Sequence, residues 1–580
     1  MIKAEGLSFK FADKTLYNDI GFALDEGRHC ALIGSNGTGK STLINLIRCP
    51  EDYLFDGKLM LDGVGRIGYV SQFATREKDQ EITVFDYLSI DFITLQEKID
   101  QICAQMGESE DLDALLDEYQ VLLDESNSVD ADNYEVNIHR WLHLAELDNK
   151  AELELSKLSG GEYKLVQVIR QMLCRPGLLI MDEPDVFLDF ENLNGLRDLI
   201  NHYKGTLLVV THNRFLLAHC FDQIWHLENA DLQEFDGSFA AYQYALLQKK
   251  IDIQKAAGVG AAEIQRAAEM VERLRKEATE VIDPLRGRTL KGKVSYLNRL
   301  IAKQIKEPFV EIRQPNICLP EVEQAEEPEI LLEVYNYNLV FEETLLENVS
   351  FKIAENEKVA LVGPNGTGKT TLLRNLWNQN DPAFSYGDRA EMGFFSQMQE
   401  DILNEDNTIY QEFFEMGFET AASVEEHLRD YCFDADTLDR KISKLSGGEK
   451  NLLQLAKLAA GKSNLLLLDE PSSHLDTYAQ IALEKAIEKY HGAVLMVSHD
   501  FYSIVNCADR ILYVDQGTVR PMSSRAFRKM IYKNHFSLEY LELERTKQDL
   551  ETGISRCLEH GDSEGAQILC DKLGEIVEKM

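Results

Sequence analysis

Residues 34–42 read GSNGTGKST and residues 363–371 read GPNGTGKTT, one pattern written twice at an offset of 329. Each copy follows an apolar run, CALIG or VALVG, and precedes a second one with helical spacing, TLINLI or TLLRNL. That is the strand–loop–helix context of a phosphate-binding loop. Its glycines let backbone N–H groups turn inward around phosphate oxygens, and the following helix N-terminus favours negative charge. The expected nucleotide ligands are therefore Gly34, Ser35, Asn36, Gly37, Thr38, Gly39, Lys40, Ser41 and Thr42, with Gly363, Pro364, Asn365, Gly366, Thr367, Gly368, Lys369, Thr370 and Thr371 in the second copy. Lys40 and Lys369 should reach the outer phosphates of ATP, and the hydroxyls of Ser41 and Thr370 should face Mg²⁺.

Further pairs follow in the same order. IGYVSQF (67–73) matches MGFFSQM (392–398) at an offset of 325. KLSGGE occurs at 157–162 and 444–449, MDEP (181–184) matches LDEP (468–471), and THN (211–213) matches SHD (498–500), all at an offset of 287. Each half is therefore one α/β domain, and the first carries 38 extra residues between its glutamine motif and LSGGE. LLIMDEP and LLLLDEP read as buried parallel strands ending in two acids. Asp182 and Asp469 are placed to hold Mg²⁺. Glu183 and Glu470 can polarise an attacking water, and His212 and His499 can bridge that glutamate and the terminal phosphate.

Together these motifs resemble the ABC ATPase superfamily, whose signature is LSGGE. The resemblance implies two domains packed head to tail, each ATP held by one domain's P-loop and the other's signature. The resemblance also adds Gln72 and Gln397 to the Mg²⁺ ligands; the first site would then be closed by Ser446, Gly447 and Gly448, and the second by Ser159, Gly160 and Gly161. Two such domains without a membrane segment, joined by a long charged linker, resemble the ABC-F group of ribosome-associated ATPases, translation factors and antibiotic-protection factors among them. The expected architecture is domain 1 at 1–240 with a helical arm near 92–135, a helical-hairpin (coiled-coil) linker at 241–313, an acidic connector at 314–330, domain 2 at 331–534 and a C-terminal helical extension at 535–580. ERLRKEAT (272–279) resembles the group's first linker helix, and EPSSHLD (470–476) resembles its EPTNHLD. The first half departs, reading EPDVFLD (183–189).

Charge sharpens the functional expectation. The chain has 580 residues and a net charge of −39, a solubilising excess that repels nucleic acid on average. Residues 245–313 reverse it with 15 basic and 9 acidic residues, and Arg286–Lys306 holds seven basic residues and no acid. Arg286, Arg288, Lys291, Lys293 and Arg299 are the expected RNA contacts, since phosphate binding by such residues dominates RNA affinity. The alternative is a solvated coiled-coil face. The resemblance extends this contact to large-subunit rRNA and tRNA. Residues 99–139 carry twelve acids and no Lys or Arg, either a solubilising helical pair or a dock for a basic ribosomal protein. Helical stripes are expected at Ile264–Val281, at Leu297, Ile301 and Ile305, and in the tail at Leu543, Leu550, Ile554, Ile568, Leu569, Leu573 and Ile576, with a turn at His560–Asp562.

Phe11 precedes the first P-loop, where the superfamily often stacks an aromatic on adenine; Val340 and Phe341 stand at the matching place, and a core role is the alternative for either ring. The ten cysteines include no C-x-x-C pair, and no apolar run approaches membrane-spanning length, so a cytoplasmic monomer with intramolecular domain pairing is expected. The runner-up is the ATPase subunit of a transporter with separate membrane subunits. A DNA-associated clamp fits less well, because the linker is short.

Overall fold

A computed structural model describes residues 1–11, 14–72, 81–106, 112–186, 188–252, 254–255, 270, 314–322, 329–341, 344–532 and 538–579. The expected RNA contacts Arg286, Arg288, Lys291, Lys293 and Arg299, the linker stripes and Phe187 lie outside the described residues.

Each half builds the same pair of sheets. The strands Ile67–Val70, Leu178–Asp182, Thr206–Val210, His29–Ile33, Gln223–Glu228 and Asp231–Asp236 form the main sheet of the first half, in that spatial order. All neighbours pair in parallel except the last two strands. In the second half the order is Met392–Phe395, Leu465–Asp469, Ala493–Val497, Lys358–Val362, Arg510–Asp515 and Thr518–Met522. LLIMD and LLLLD are buried along their whole length, as strands covered on both faces require. A three-stranded antiparallel sheet covers each P-loop strand, and the side chains between the two sheets form one core per half.

The extra residues of the first half form two helices, Val84–Met106 and Leu112–Val129, leading into Tyr134–Leu144. The first begins before the expected insertion and buries Leu88, Phe92, Leu95, Ile99 and Ile102 along one stripe. Ion pairs Arg170–Asp91 (3.1 Å) and Arg175–Asp130 (3.2 Å) tie the arm's base to the domain.

Two compact units result. One comprises Met1–Asp236 and Arg313–Lys533, so both nucleotide-binding halves belong to a single body. The other comprises Gly237–Ile312 and Asn534–Met580. In the latter, helices Leu538–Glu559 and Ser563–Val577 form a hairpin that packs against the helical residues 239–252. Their shared core is Ile251, Ile554, Ala566, Cys570 and Leu573. Ile568, expected in the inner stripe, is 60% exposed; Ala566 and Cys570 take the inward positions on either side of it. Lys547 Nζ to Gln243 (2.8 Å) and Lys255 Nζ to Gln567 (2.6 Å) add polar ties.

Candidate nucleotide sites between the two halves

The motif loops converge because the sheet places them side by side. In each half the P-loop strand neighbours the strand that precedes the histidine, and that strand neighbours the one ending in the two acids. All three loops leave carboxyl ends of parallel strands, where open α/β sheets bind ligands.

The P-loops are alike. Lys40 is buried, and its Nζ donates to the carbonyls of Gly34 (2.9 Å) and Ser35 (3.0 Å). Lys369 Nζ does the same with Gly363 (2.8 Å) and Pro364 (2.6 Å). Burial lowers the pKa of both lysines. Gly39 and Gly368 precede their helices with φ of 102° and 87°, a conformation that side chains rarely adopt. A Cβ on Gly39 would also lie 3.0 Å from the Tyr17 hydroxyl, which donates to the Gly39 carbonyl. Ser41 bonds Asp182, and Thr370 Oγ1 donates to Asp469 (3.2 Å), so each P-loop hydroxyl stands beside the first acid of its pair.

The second acids are held differently. Glu183 Oε2 accepts the Gln72 amide at 2.7 Å. Glu470 Oε2 accepts the His499 backbone N–H at 3.1 Å, with His499 Nε2 3.7 Å from the other oxygen. Both glutamates sit at positive φ, 45° and 51°, where the strand turns sharply. Burial, then the neighbouring Asp185, pushes Glu183 up to about 7. Burial and Asp469 push Glu470 up to about 8, and burial pushes Asp469 up to about 6. His499 is driven down to about 3 by burial and Lys369, and His212 well below its ordinary value by burial and Lys40. Asp469 Oδ2, Glu470 Oε1, His212 Nε2 and His499 Nδ1 are buried with no hydrogen-bond partner among the described residues. A paired hydroxyl and carboxylate, an orphaned carboxylate oxygen and unpaired imidazole nitrogens fit a hard cation with a phosphate chain.

The halves meet head to tail. Asn36 N donates to Asp476 (3.1 Å) and Asn36 Nδ2 to the His474 carbonyl (2.9 Å), while Asn365 N donates to Asp189 (3.1 Å). A Cβ on Gly448 would overlap Asn36 Nδ2, so the signature glycine permits this approach. A cavity of about 480 Å³ is lined by Lys369, Thr370, Gln397, Glu470 and His499 of the second half and by Gly160, Gly161, Glu183 and His212 of the first. Ser159 and Ser446 cap their helices through capping boxes with Glu162 and Glu449, which fixes the glycines of LSGGE in the first helical turn. Phe11 is 65% exposed, Val340 63% and Phe341 62%, which removes the core alternative for both rings. Leu345, which the sequence reading passed over, lines the cavity instead.

Two charged clusters were also missed. Arg214 of the first half enters a socket of the second, pairing with Glu484 and with Asp500 (3.0 Å) and lying 4.6 Å over the Tyr502 ring. Lys164 is buried behind Glu183 and donates to the backbone carbonyls of Ser71 and Gln72. Comparing the halves at the 287 offset would have flagged it, because the second half has Asn451 there.

Comparison with known proteins agrees with this architecture. The ABC transporter family model matches residues 17–186 and 346–473, just over half the chain. An uncharacterized ABC transporter ATP-binding protein of Bacillus subtilis, YfmM, is 28% identical over 87% of this chain and 96% of its own. ABC transporter F family member 5 of Arabidopsis thaliana is 27% identical over 89% of this chain and 75% of its own. Among solved structures, an archaeal ribosome recycling factor, aABCE1, crystallised with the ribosomal stalk protein aP1, superposes with a TM-score of 0.52 at 19% identity, over 91% of this chain and 92% of that one.

Proposed function

We propose that this chain, which belongs to the ABC transporter family as a tandem ABC-F ATP-binding protein, hydrolyses ATP in two composite sites and uses the cycle to control contact with the ribosome. The ATPase reading is supported by the convergence of P-loop, paired acids and histidine in both halves. Ser41, Asp182 and Gln72 would hold Mg²⁺ in the first site, and Thr370, Asp469 and Gln397 in the second. Bound there, the ion would neutralise phosphate charge. Glu183 and Glu470 orient the attacking water, and His212 and His499 meet the terminal phosphate. Gly447 and Gly448 close the first site and Gly160 and Gly161 the second, so both ATP molecules favour the joined form of the halves.

The ribosome reading is carried by one observation, the acid-free basic run Arg286–Lys306 in a chain of net charge −39. Its two flanks lead to different ATP-binding halves, so joining and parting them would set and release its contact with large-subunit rRNA and tRNA. The acidic arm would face a basic ribosomal protein. No helix among the described residues is long and apolar enough to cross a membrane, and the protein is read as cytoplasmic.

The test is ribosome co-sedimentation of the Glu183→Gln/Glu470→Gln protein with ATP, over a salt series. Charge reversal at Arg286, Arg288, Lys291 and Lys293 should weaken binding and flatten its salt dependence, because fewer phosphates are neutralised. Equal binding at every salt concentration would refute the RNA contact and favour a transporter ATPase subunit. Drug susceptibility of bacteria expressing the protein separates antibiotic protection from a translation-factor role.

A further inference from the structure

From the signature onward the halves can be compared position by position at the 287 offset. Asp182, Glu183, Pro184, Leu188, Asp189 and His212 each meet the identical residue in the second half. Two charged positions close to Glu183 do not. Lys164 stands where the second half has Asn451, and Asp185 where it has Ser472. One exchange adds a positive charge and the other a negative one, so the pair is neutral only when both are made.

The structure shows what each residue holds. Lys164 is 3% exposed, and its ammonium donates to the backbone carbonyls of Ser71 and Gln72 (3.0 Å to the latter). The Gln72 side chain in turn donates to Glu183 at 2.7 Å. Asp185 accepts the Thr211 hydroxyl at 2.7 Å, directly before His212. In the second half Asn451 makes neutral bonds instead, donating to the Ser473 carbonyl (2.6 Å) and accepting from Gln399 (2.8 Å). Ser472 merely faces Ser498 at 3.5 Å, and Glu470 is held by His499.

We propose that Lys164 is a positioning residue of the first ATP site, placing the Gln72 amide on Glu183 through the Gln72 backbone, with Asp185, the opposite charge that differs from the second half together with it, offsetting the buried ammonium without a direct ion pair. The two sites then differ in construction: Glu183 is presented through the glutamine expected to meet Mg²⁺, and Glu470 through its histidine. The first site's hydrolysis depends on Mg²⁺ through Lys164, a dependence without counterpart in the second. This inference rests on the ATPase reading above.

The experiment uses the full chain with Glu470→Gln, so that single-turnover hydrolysis reports the first site. Lys164→Asn and Asp185→Ser are made singly and together. Each single change should slow turnover by about tenfold or more, and Lys164→Asn should raise the Mg²⁺ concentration needed for half-maximal rate severalfold. The double variant should keep the slow turnover and raised Mg²⁺ requirement of Lys164→Asn, because it still lacks the ammonium that holds the Gln72 backbone. Thermal midpoints of the same four proteins without nucleotide should be non-additive, each single below the parent and the double near it, because the pair leaves no uncompensated charge. Additive losses in the thermal cycle, or a single Lys164→Asn that keeps both the parental rate and Mg²⁺ requirement, would overturn the proposal. Absence of hydrolysis in every protein, wild type included, would sink the ATPase reading instead, and the nucleotide-free cycle would still judge the pair.

Discussion

Arg214→Ala should weaken the joint between the halves far more than a surface charge deletion would. Side chains of Arg214, Glu484 and Asp500 are 10%, 10% and 18% exposed, so this is a buried pairing of one cation with two acids. Removing one partner of a buried pair typically costs ~3–5 kcal/mol, because the remaining charge loses its compensation. Here the acids keep other donors: Ser503 Oγ and the Tyr502 N–H serve Asp500 at 2.7 Å and 3.1 Å, and Asn506 serves Glu484 at 2.9 Å. That argues for the lower end, about 3 kcal/mol. Loss of the guanidinium over Tyr502 adds ~0.5–1 kcal/mol. The assay is urea unfolding of the intact nucleotide-free chain, followed at Trp225 in the first half and Trp377 in the second. The triple variant Arg214→Met/Glu484→Gln/Asp500→Asn should recover most of the loss, since it retains packing and removes all three charges. The reasoning is refuted by an Arg214→Ala protein within about 0.5 kcal/mol of wild type, or by a triple variant as unstable as the single one.

Other expectations are narrower. Glu183→Gln with Glu470→Gln should retain ATP binding and lose turnover, read by nucleotide affinity and phosphate release; wild-type turnover would remove both glutamates from the chemistry. Glu183, raised to about 7 by burial, binds a proton in the folded protein that the unfolded chain releases above its ordinary pKa near 4.5. Its contribution is therefore fully present below about pH 4.5 and lost as pH rises through about 7, worth ~1–3 kcal/mol. Glu183→Gln should flatten the thermal midpoint of the nucleotide-free protein between pH 5 and pH 8, and an unchanged pH slope would contradict the burial argument. Phe11→Ala should raise the ATP concentration needed by the first site without lowering stability, because the ring is 65% exposed; unaltered affinity would exclude stacking on adenine.

The duplicated motifs made the doubly wound halves legible because each motif is local. A P-loop is a strand, a glycine turn and a helix start within some twenty residues, and its chemistry follows from that span. The same holds for the capping boxes at Ser159 and Ser446, where Ser and Glu stand three residues apart. Burial of single side chains was less legible. Ile568 fits a helical stripe by spacing, but with a hairpin gripping residues 239–252 the inward positions fall to Ala566 and Cys570, small enough for close helix contact. Phe11 and Phe341 are aromatic in strand-like context, yet Phe11 is the last residue of its strand and Phe341 lies one residue past its own, where the sheet no longer covers them.

Contacts between the halves follow a different logic, and symmetry explains which were readable. Asp189 and Asp476 share a register, and each takes the N–H of the opposite half's P-loop asparagine, so a repeated Asp marks both ends of a pseudo-twofold contact. Arg214 has no such twin. Its counterpart at the 287 offset is Phe501, and the counterpart of Glu484 is Arg197, which pairs instead with its neighbour Asp198 at 2.8 Å. A one-way ion pair leaves no repeated signature, so sequence comparison of the halves reveals two mismatched positions without revealing that they touch. Yet Arg214 lies two residues beyond His212, and Asp500 one beyond His499. The asymmetric bond therefore ties together the two histidine loops, which the proposed function sets at the terminal phosphates, and whatever moves one of them must strain or break a buried ion pair held by the other.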